Sequence, residues 1–245
     1  MSEFLSTTYI IKNFLQFVTV ALIITTFNEI AGVKNIMPRI KKEWVDEILF
    51  VDGGSTDGTI QEIEKMGFKV LIQKQKGLGA ALLEAVNAIK SDNFIFFASD
   101  GNDEPEKIPQ LIQKFNEGYD QVIVTRFGTG SNMKSRKINA GKIDTFGNLL
   151  FTFLGNVFFG SHLTDCLVQL RIMSKKSFQE LNFNEMSLIA FQQMSIRGSK
   201  KHQNICEIIG NEGKRMGGIR KMKPLPVGKA LILGIIKEFI HWKIN

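Results

Sequence analysis

Cysteine and histidine are scarce in this chain of 245 residues, with two Cys and three His. Cys166 and Cys206 are too few for a disulfide framework or a zinc cage, and the histidines are scattered. A reducing, cytoplasmic setting is the default expectation. Long apolar runs are missing as well. Phe14–Phe27 is broken by Gln16, Ile143–Phe159 contains Asp144, Asn148 and Asn156, and Ala230–Ile240 is short and carries Lys237 and Glu238. The sequence therefore predicts no transmembrane helix, and no signal peptide is evident. Acidic residues are sparse past residue 125: residues 126–245 hold 19 basic and 7 acidic side chains, against 12 and 17 in residues 1–125. A net charge of +7 thus divides into −5 and +12, which suggests two surfaces with different ligands. Nucleic acid, an anionic membrane face or a phosphorylated substrate would each suit the rear half.

With 44% hydrophobic and 22% charged residues the composition is that of a globular chain and excludes a disordered one. The length suits one core, or one domain with an appendage. No internal repeat is visible. The front half alternates β-rich runs (Val18–Thr26, Glu47–Val51, Phe68–Ile72, Asn93–Ala98, Gln121–Thr125) with helix-length segments (Gly32–Lys42, Thr59–Met66, Leu78–Lys90, Pro105–Asn116). Leu78, Leu82, Ala85, Val86 and Ile89 make one helical face. Strand–helix alternation with continuous apolar strands predicts an α/β fold, a mostly parallel sheet covered on both faces. Ligands of such sheets sit beyond the carboxyl ends of the strands, here Thr25–Glu29, Asp52–Asp57, Ser99–Asp103 and Arg126–Gly130. Beyond these lie a Gly/Ser/Asn/Lys-rich loop at 127–142, a Phe-rich helix over Asp144–Phe159 and a strand-like run Leu167–Met173. Helices near Lys175–Leu181 and Glu185–Arg197, a basic glycine-rich loop Gly210–Lys223 and an amphipathic segment Val227–Trp242 follow.

Two segments carry chemistry. In Ile48–Thr59 (ILFVDGGSTDGT) a buried strand ends on Asp52, followed by glycines that let the backbone turn tightly and approach a flat ligand. Asp52 can accept from base or ribose donors; the same residues would also serve a plain strand–turn–helix with an Asp cap. In Phe94–Glu106 (FIFFASDGNDEPE) an apolar strand delivers Asp100, Asn102, Asp103 and Glu104 together. Such oxygen donors suit a hard divalent ion shared with phosphates, or an acidic loop capping the Pro105 helix. Gly77-Leu78-Gly79 half-matches a dinucleotide fingerprint, but Leu82 stands at the third glycine position and the match lies mid-chain.

With Thr25–Glu29 (TTFNE) and Gly77–Ala85 (GLGAALLEA) these segments resemble, in order and spacing, family 2 glycosyltransferases of the GT-A fold. Within that family the likeness is to the polyprenyl-phosphate branch, the dolichyl-phosphate mannosyltransferase type, over roughly residues 18–225. The resemblance implies one catalytic domain over residues 1–225, with a nucleotide-sugar half (18–125) and an acceptor half (126–225). A C-terminal amphipathic helix over 226–245 would lie on the membrane. It implies that Thr26, Asn28, Glu29, Asp52 and Gly77 serve the nucleotide sugar, and that Asp100 and Asn102 hold Mg2+ or Mn2+. It gives Arg126, Arg171, Arg215 and Lys221 to the acceptor phosphate, and makes Asp100, Arg126 and Asp165 catalytic. The chain departs from the family at Ala98 and Gly53, each replacing an aspartate, and at Val168-Gln169 in place of Ser-Gly.

A lipid monophosphate is already anionic, so no general base is obligatory; the site must instead overcome repulsion between acceptor and donor phosphates. The expectation is thus transfer from a nucleoside-diphosphate sugar to a polyprenyl phosphate with inversion, peripherally on the cytoplasmic membrane face. A membrane partner subunit is compatible with this. The rivals are a glycan hydroxyl acceptor and a nucleotide-sugar-binding scaffold weakened at Ala98 and Gly53. A nucleic-acid partner is not expected, because no basic–aromatic interleaving or binding motif is present.

Overall fold

The computed structural model describes residues 19–132, 141–218 and 223–244. Seven strands form one sheet in the order β3-β2-β1-β4-β6-β5-β7: β1 Val20–Thr26, β2 Glu47–Asp52, β3 Lys69–Ile72, β4 Asn93–Ala98, β5 Gln121–Thr125, β6 Arg171–Ser174 and β7 Ile205–Ile209. β1 to β4 are parallel, and β6 runs antiparallel between β4 and β5. β7 is parallel to β5, so β5 and β7 run the same way as β1.

The strands explain the layers. In β1 (VALIITT) and β4 (NFIFFA) nearly every residue is buried, as it must be when helices cover both faces. Alternate side chains separate two cores. Leu22, Ile24, Phe50 and Phe97 meet Val33 of α1 (Ile30–Ile36), Ile63 of α2 (Thr59–Lys65) and Leu111 of α4 (Ile108–Phe115). Ala21, Ile23, Phe94 and Phe96 meet Leu82 of α3 (Leu78–Ala88), Phe178 of α6 (Lys175–Glu180) and Phe191 of α7 (Ala190–Lys200).

Three boundaries differ from the sequence expectation. The helix expected over Gly32–Lys42 is α1, which ends at Ile36 and continues only as the 3₁₀ turns Met37–Arg39 and Lys42–Trp44. Pro38 lacks the N–H that a further helical turn would need. β6 begins at Arg171 rather than Leu167, and α7 begins at Ala190 rather than Glu185. β7 was not expected at all; its five residues, ICEII, become a strand by pairing with β5.

Two long helices flank the rear half. α5 (Lys142–Phe159) buries Phe151, Thr152, Gly155 and Phe159 but leaves Phe146 67% and Phe153 61% exposed. α8 (Pro224–Ile244) buries Leu231 and Ile235 and leaves Leu225, Leu233 and Ile240 in solvent. The helices touch, with Phe158 and Phe239 edge to face at 5.9 Å between ring centroids. Buried Glu238 fixes α8 against α7: Arg197 Nε donates to it at 2.9 Å, Lys200 Nζ at 3.2 Å and Gln193 Nε2 at 3.0 Å. No helix among the described residues is long and apolar enough to cross a membrane.

Candidate active site

The strand order reverses between β1 and β4, since β2 and β3 follow β1 on one side while β4 lies on the other. A crevice at the carboxyl ends of two such strands is where an α/β sheet takes its ligand. Thr26 ends β1 there and Ser99 follows β4. Both are buried, and neither side-chain hydroxyl has a hydrogen-bond partner among the described residues. Buried hydroxyls without partners are uncommon and mark a place for a ligand or solvent.

The turn after β1 is fastened to the turn after β2. Asn28 adopts a left-handed backbone (φ 55°), its Oδ1 accepts from Thr56 N at 2.7 Å, and its own N–H donates to Ser55 Oγ at 2.8 Å. Asp52 is fully buried, and its carboxylate accepts from Gly54 N, Ser55 N and Ser55 Oγ at 2.6–2.8 Å. The geometry therefore shows Asp52 and Asn28 building the turn, the plain reading of that motif. Gly77 likewise has a packing role: at φ +120° a Cβ there would lie 2.1 Å from the Met186 carbonyl oxygen.

Glu29 is 5% exposed, and its N–H donates to Thr59 Oγ1 at 3.0 Å. Its carboxylate reaches across the crevice to Arg215, whose Nη2 donates to Glu29 Oε1 while Nη1 donates to Asp100 Oδ2 at 2.8 Å. Asp100 also accepts from the Asn102 N–H at 3.0 Å and from Asn102 Nδ2 at 3.3 Å. The segment carrying Arg215 is zipped onto the loop after β4: Gly213 N donates to the Asn102 carbonyl at 2.8 Å and Met216 N to that of Asp100 at 2.9 Å. Among the described residues no three His, Cys, Asp or Glu form a metal cage. Asp100 and Asn102 supply a carboxylate and a carboxamide, hard oxygen donors that fit Mg2+ or Mn2+ shared with donor phosphates. Asp103 faces back to the position of the missing aspartate, its Oδ2 accepting from Ala98 N at 3.0 Å. Burial and the Asp100 carboxylate push Asp103 up to about 7.

A second cluster adjoins the first, because antiparallel β6 starts at the edge where β5 ends. Arg126, just past β5, donates bidentately to buried Asp165, Nε to Oδ2 at 2.7 Å and Nη2 to Oδ1 at 3.0 Å. Its Nη1 lies 3.6 Å from Glu212. Burial works against the Arg126 charge, but Asp165 outweighs it and the guanidinium ends above its ordinary value. Gln169 Nε2 donates to Thr25 Oγ1 at 2.8 Å and joins this edge to β1.

The structure thus brings together Thr26, Glu29, Asp100, Asn102 and Arg215, with Arg126 and Asp165 beside them. Arg171 is a correction. It is wholly buried and donates to Val168 O at 2.8 Å, Ser195 Oγ at 3.2 Å and Gln121 Oε1 at 3.4 Å, its guanidinium 5.3 Å from the Phe191 ring centroid. Burial lowers its pKa to about 10. It ties β6 to α7 inside the core and does not face the site, so the phosphate role expected for it is withdrawn. Lys221 lies outside the described residues. Sequence reasoning missed Glu207 and Glu212; each lies near a segment already singled out, yet only the sheet reveals what they face.

A mostly parallel sheet with a reversal crevice, carboxylates at its mouth and arginines alongside is a ligand site of the α/β kind, and the chain's relatives make it a glycosyltransferase. The glycosyl transferase family 2 profile matches residues 21–181, and the chain belongs to that family. It is 25% identical over 227 residues to a dolichyl-phosphate hexose transferase of Haloferax volcanii, covering 92% of this chain and 96% of that one. It is 23% identical over 216 residues to a dolichol-phosphate mannosyltransferase of Pyrococcus furiosus, covering 83% of this chain but 59% of the relative. Its fold matches glucosyl-3-phosphoglycerate synthase of Mycobacterium tuberculosis, solved with Mn2+, UDP-glucose and glycerol 3-phosphate. That match has a TM-score of 0.66 at 18% identity and covers 91% of this chain and 79% of the synthase.

Proposed function

We propose that this enzyme moves a sugar from a nucleoside-diphosphate sugar to a polyprenyl phosphate, with inversion at the anomeric carbon. The observation that carries this is the placement of two arginines from the basic half, Arg126 and Arg215, on the same sheet edge as Glu29 and Asp100. Glu29 and Thr26 would hold the nucleoside, and Asp100 with Asn102 would hold Mg2+ or Mn2+. When bound, that ion would neutralise charge on the departing nucleoside diphosphate. Arg215 must first leave Asp100, and it then becomes a forked donor for acceptor phosphate oxygens. Asp165 holds Arg126 through Nε and Nη2, and Nη1, 3.6 Å from Glu212, would exchange that carboxylate for an incoming phosphate. The two guanidiniums together offset repulsion between acceptor and donor anions.

The exposed apolar faces of α5 and α8 support peripheral docking on the membrane that carries such an acceptor, on its cytoplasmic face. Lys142 and Lys229 lie on the same helices and suit anionic headgroups. The test is a screen of nucleotide sugars with a short polyprenyl phosphate, read as labelled lipid product. No product from any donor would overturn the proposal.

A hydroxyl acceptor is the second reading, favoured by one observation: the Asp103 carboxylate, which accepts from Ala98 N at 3.0 Å, lies in the loop after β4 where a general base would be needed. Asp103→Asn separates the two. A hydroxyl acceptor loses about 10²–10⁴-fold in rate, whereas transfer to a phosphate changes only severalfold.

A further inference from the structure

Glu207, on β7, has no part in the reading above, yet its carboxylate collects a convergent set of donors. Thr164 N lies 3.0 and 2.9 Å from its two oxygens, Thr164 Oγ1 donates to Oε2 at 2.9 Å, and Asp165 N donates to Oε1 at 3.1 Å. Thr164 Oγ1 also meets Thr125 Oγ1 at 2.5 Å, one residue before Arg126. Burial raises the Glu207 carboxyl above its usual value, and the donors from Thr164 and Asp165 pull the other way.

All these donors belong to the turn that carries Asp165, and Asp165 holds Arg126 by two hydrogen bonds. We infer that Glu207 is a positioning residue: it fixes the 164–165 turn so that Asp165, and through it Arg126, keeps the geometry needed to meet the acceptor phosphate. Only an acceptor-only, two-oxygen group matches two adjacent backbone N–H groups and a hydroxyl. A carboxamide offers one acceptor oxygen and turns its NH2 against an N–H. A carboxylate is therefore required where shape alone would admit glutamine. The chain of contacts runs Glu207, Thr164/Asp165, Arg126.

This inference rests on the proposed acceptor role of Arg126, and the test reads the two separately. In Glu207→Gln the KM for a short polyprenyl phosphate should rise about 10-fold or more, with nucleotide affinity within about twofold of wild type, the loss expected when charge-assisted bonds are removed. The Arg126 Nε–H, shielded by Asp165, should give a slowly exchanging 15N–1H resonance in wild type that shifts or exchanges faster in the variant. Glu207→Gln combined with Asp165→Asn should be no worse than Asp165→Asn alone, because both act through one link. Thr164→Val, a milder change, should shift the resonance in the same direction if Glu207→Gln folds poorly. An unaltered Arg126 resonance, an unchanged acceptor KM, or multiplicative effects in the double variant would each overturn the positioning role. If the resonance responds while no variant, wild type included, glycosylates polyprenyl phosphate, Glu207 positions Arg126 and the proposed acceptor is what fails.

Discussion

Replacing Arg215 by Gln keeps most of the side-chain length and removes its charge from between Glu29 and Asp100. The two ion pairs are partly sheltered, with Arg215 27%, Glu29 6% and Asp100 19% exposed at their side chains. Pairs of this kind contribute about 0.5–1 kcal/mol each after screening, and a cation entering at Asp100 works against the one of them that Asp100 makes. Without that competitor, Mn2+ should bind about 2–5-fold more tightly to the nucleotide-free protein, by the factor of ten per 1.4 kcal/mol. Transfer should move the other way, falling by about 10²–10³-fold if Arg215 also serves the acceptor phosphate in the transition state. Electron paramagnetic resonance of free Mn2+ gives the affinity, and labelled-lipid formation gives the rate. Arg215→Lys, which keeps the charge, should hold Mn2+ affinity near wild type. Equal or weaker Mn2+ binding by Arg215→Gln would refute the reasoning, because a guanidinium that competes for a carboxylate cannot be removed without effect.

Three further outcomes follow from other parts of the fold. Burial alone would raise the Glu238 carboxyl, but Arg197 and Lys200 hold it below its ordinary value. Its stabilisation is therefore complete above about pH 4.5 and is lost as pH falls through the lower folded value; Tm measured against pH should lose this acid limb in Glu238→Gln, and parallel curves would refute it. Exposed Phe146 and Phe153 should each contribute about 1–2 kcal/mol to bilayer docking, so the double Ser variant should bind anionic vesicles about 30–700-fold less well in a sedimentation assay, with an unaltered Tm. Arg171→Met should lower stability by about 1–3 kcal/mol in urea titration, through the unpaired Val168 carbonyl, yet leave the acceptor KM of the folded enzyme unchanged; a raised KM would restore the phosphate role.

The parallel front of the sheet was legible because its signal is local. VALIITT and NFIFFA are apolar throughout, and the carboxyl ends of the strands can be named from the sequence once their direction is assumed. The grouping of Glu29 with Asp100 follows from that rule. Arg171 misled because an arginine close to a strand reads the same whether it faces solvent or the core. Only the register of β6, with Arg171 opposite Phe96 and Ile123, settles that it points inward. Asp52 was legible as a turn builder and equally as a ligand, and three hydrogen bonds within its own turn display the turn-building part. β7 and Glu207 were invisible for a related reason: a five-residue strand whose partner lies about 80 residues earlier has no local pattern to show.

The reversal of β6 has a mechanical consequence. The chain leaves the sheet edge after Thr125 and returns to it before Arg171, and the Arg126–Asp165 bridge clasps the two ends of that excursion. α5 lies within that excursion, yet it is also seated on the core through Phe151 and Phe159 and on α8 through Phe158 and Phe239. The bridge is therefore a hem rather than a hinge: it keeps two distant stretches of chain in step at the sheet edge, while α5 draws its own support from the core and the helix beside it.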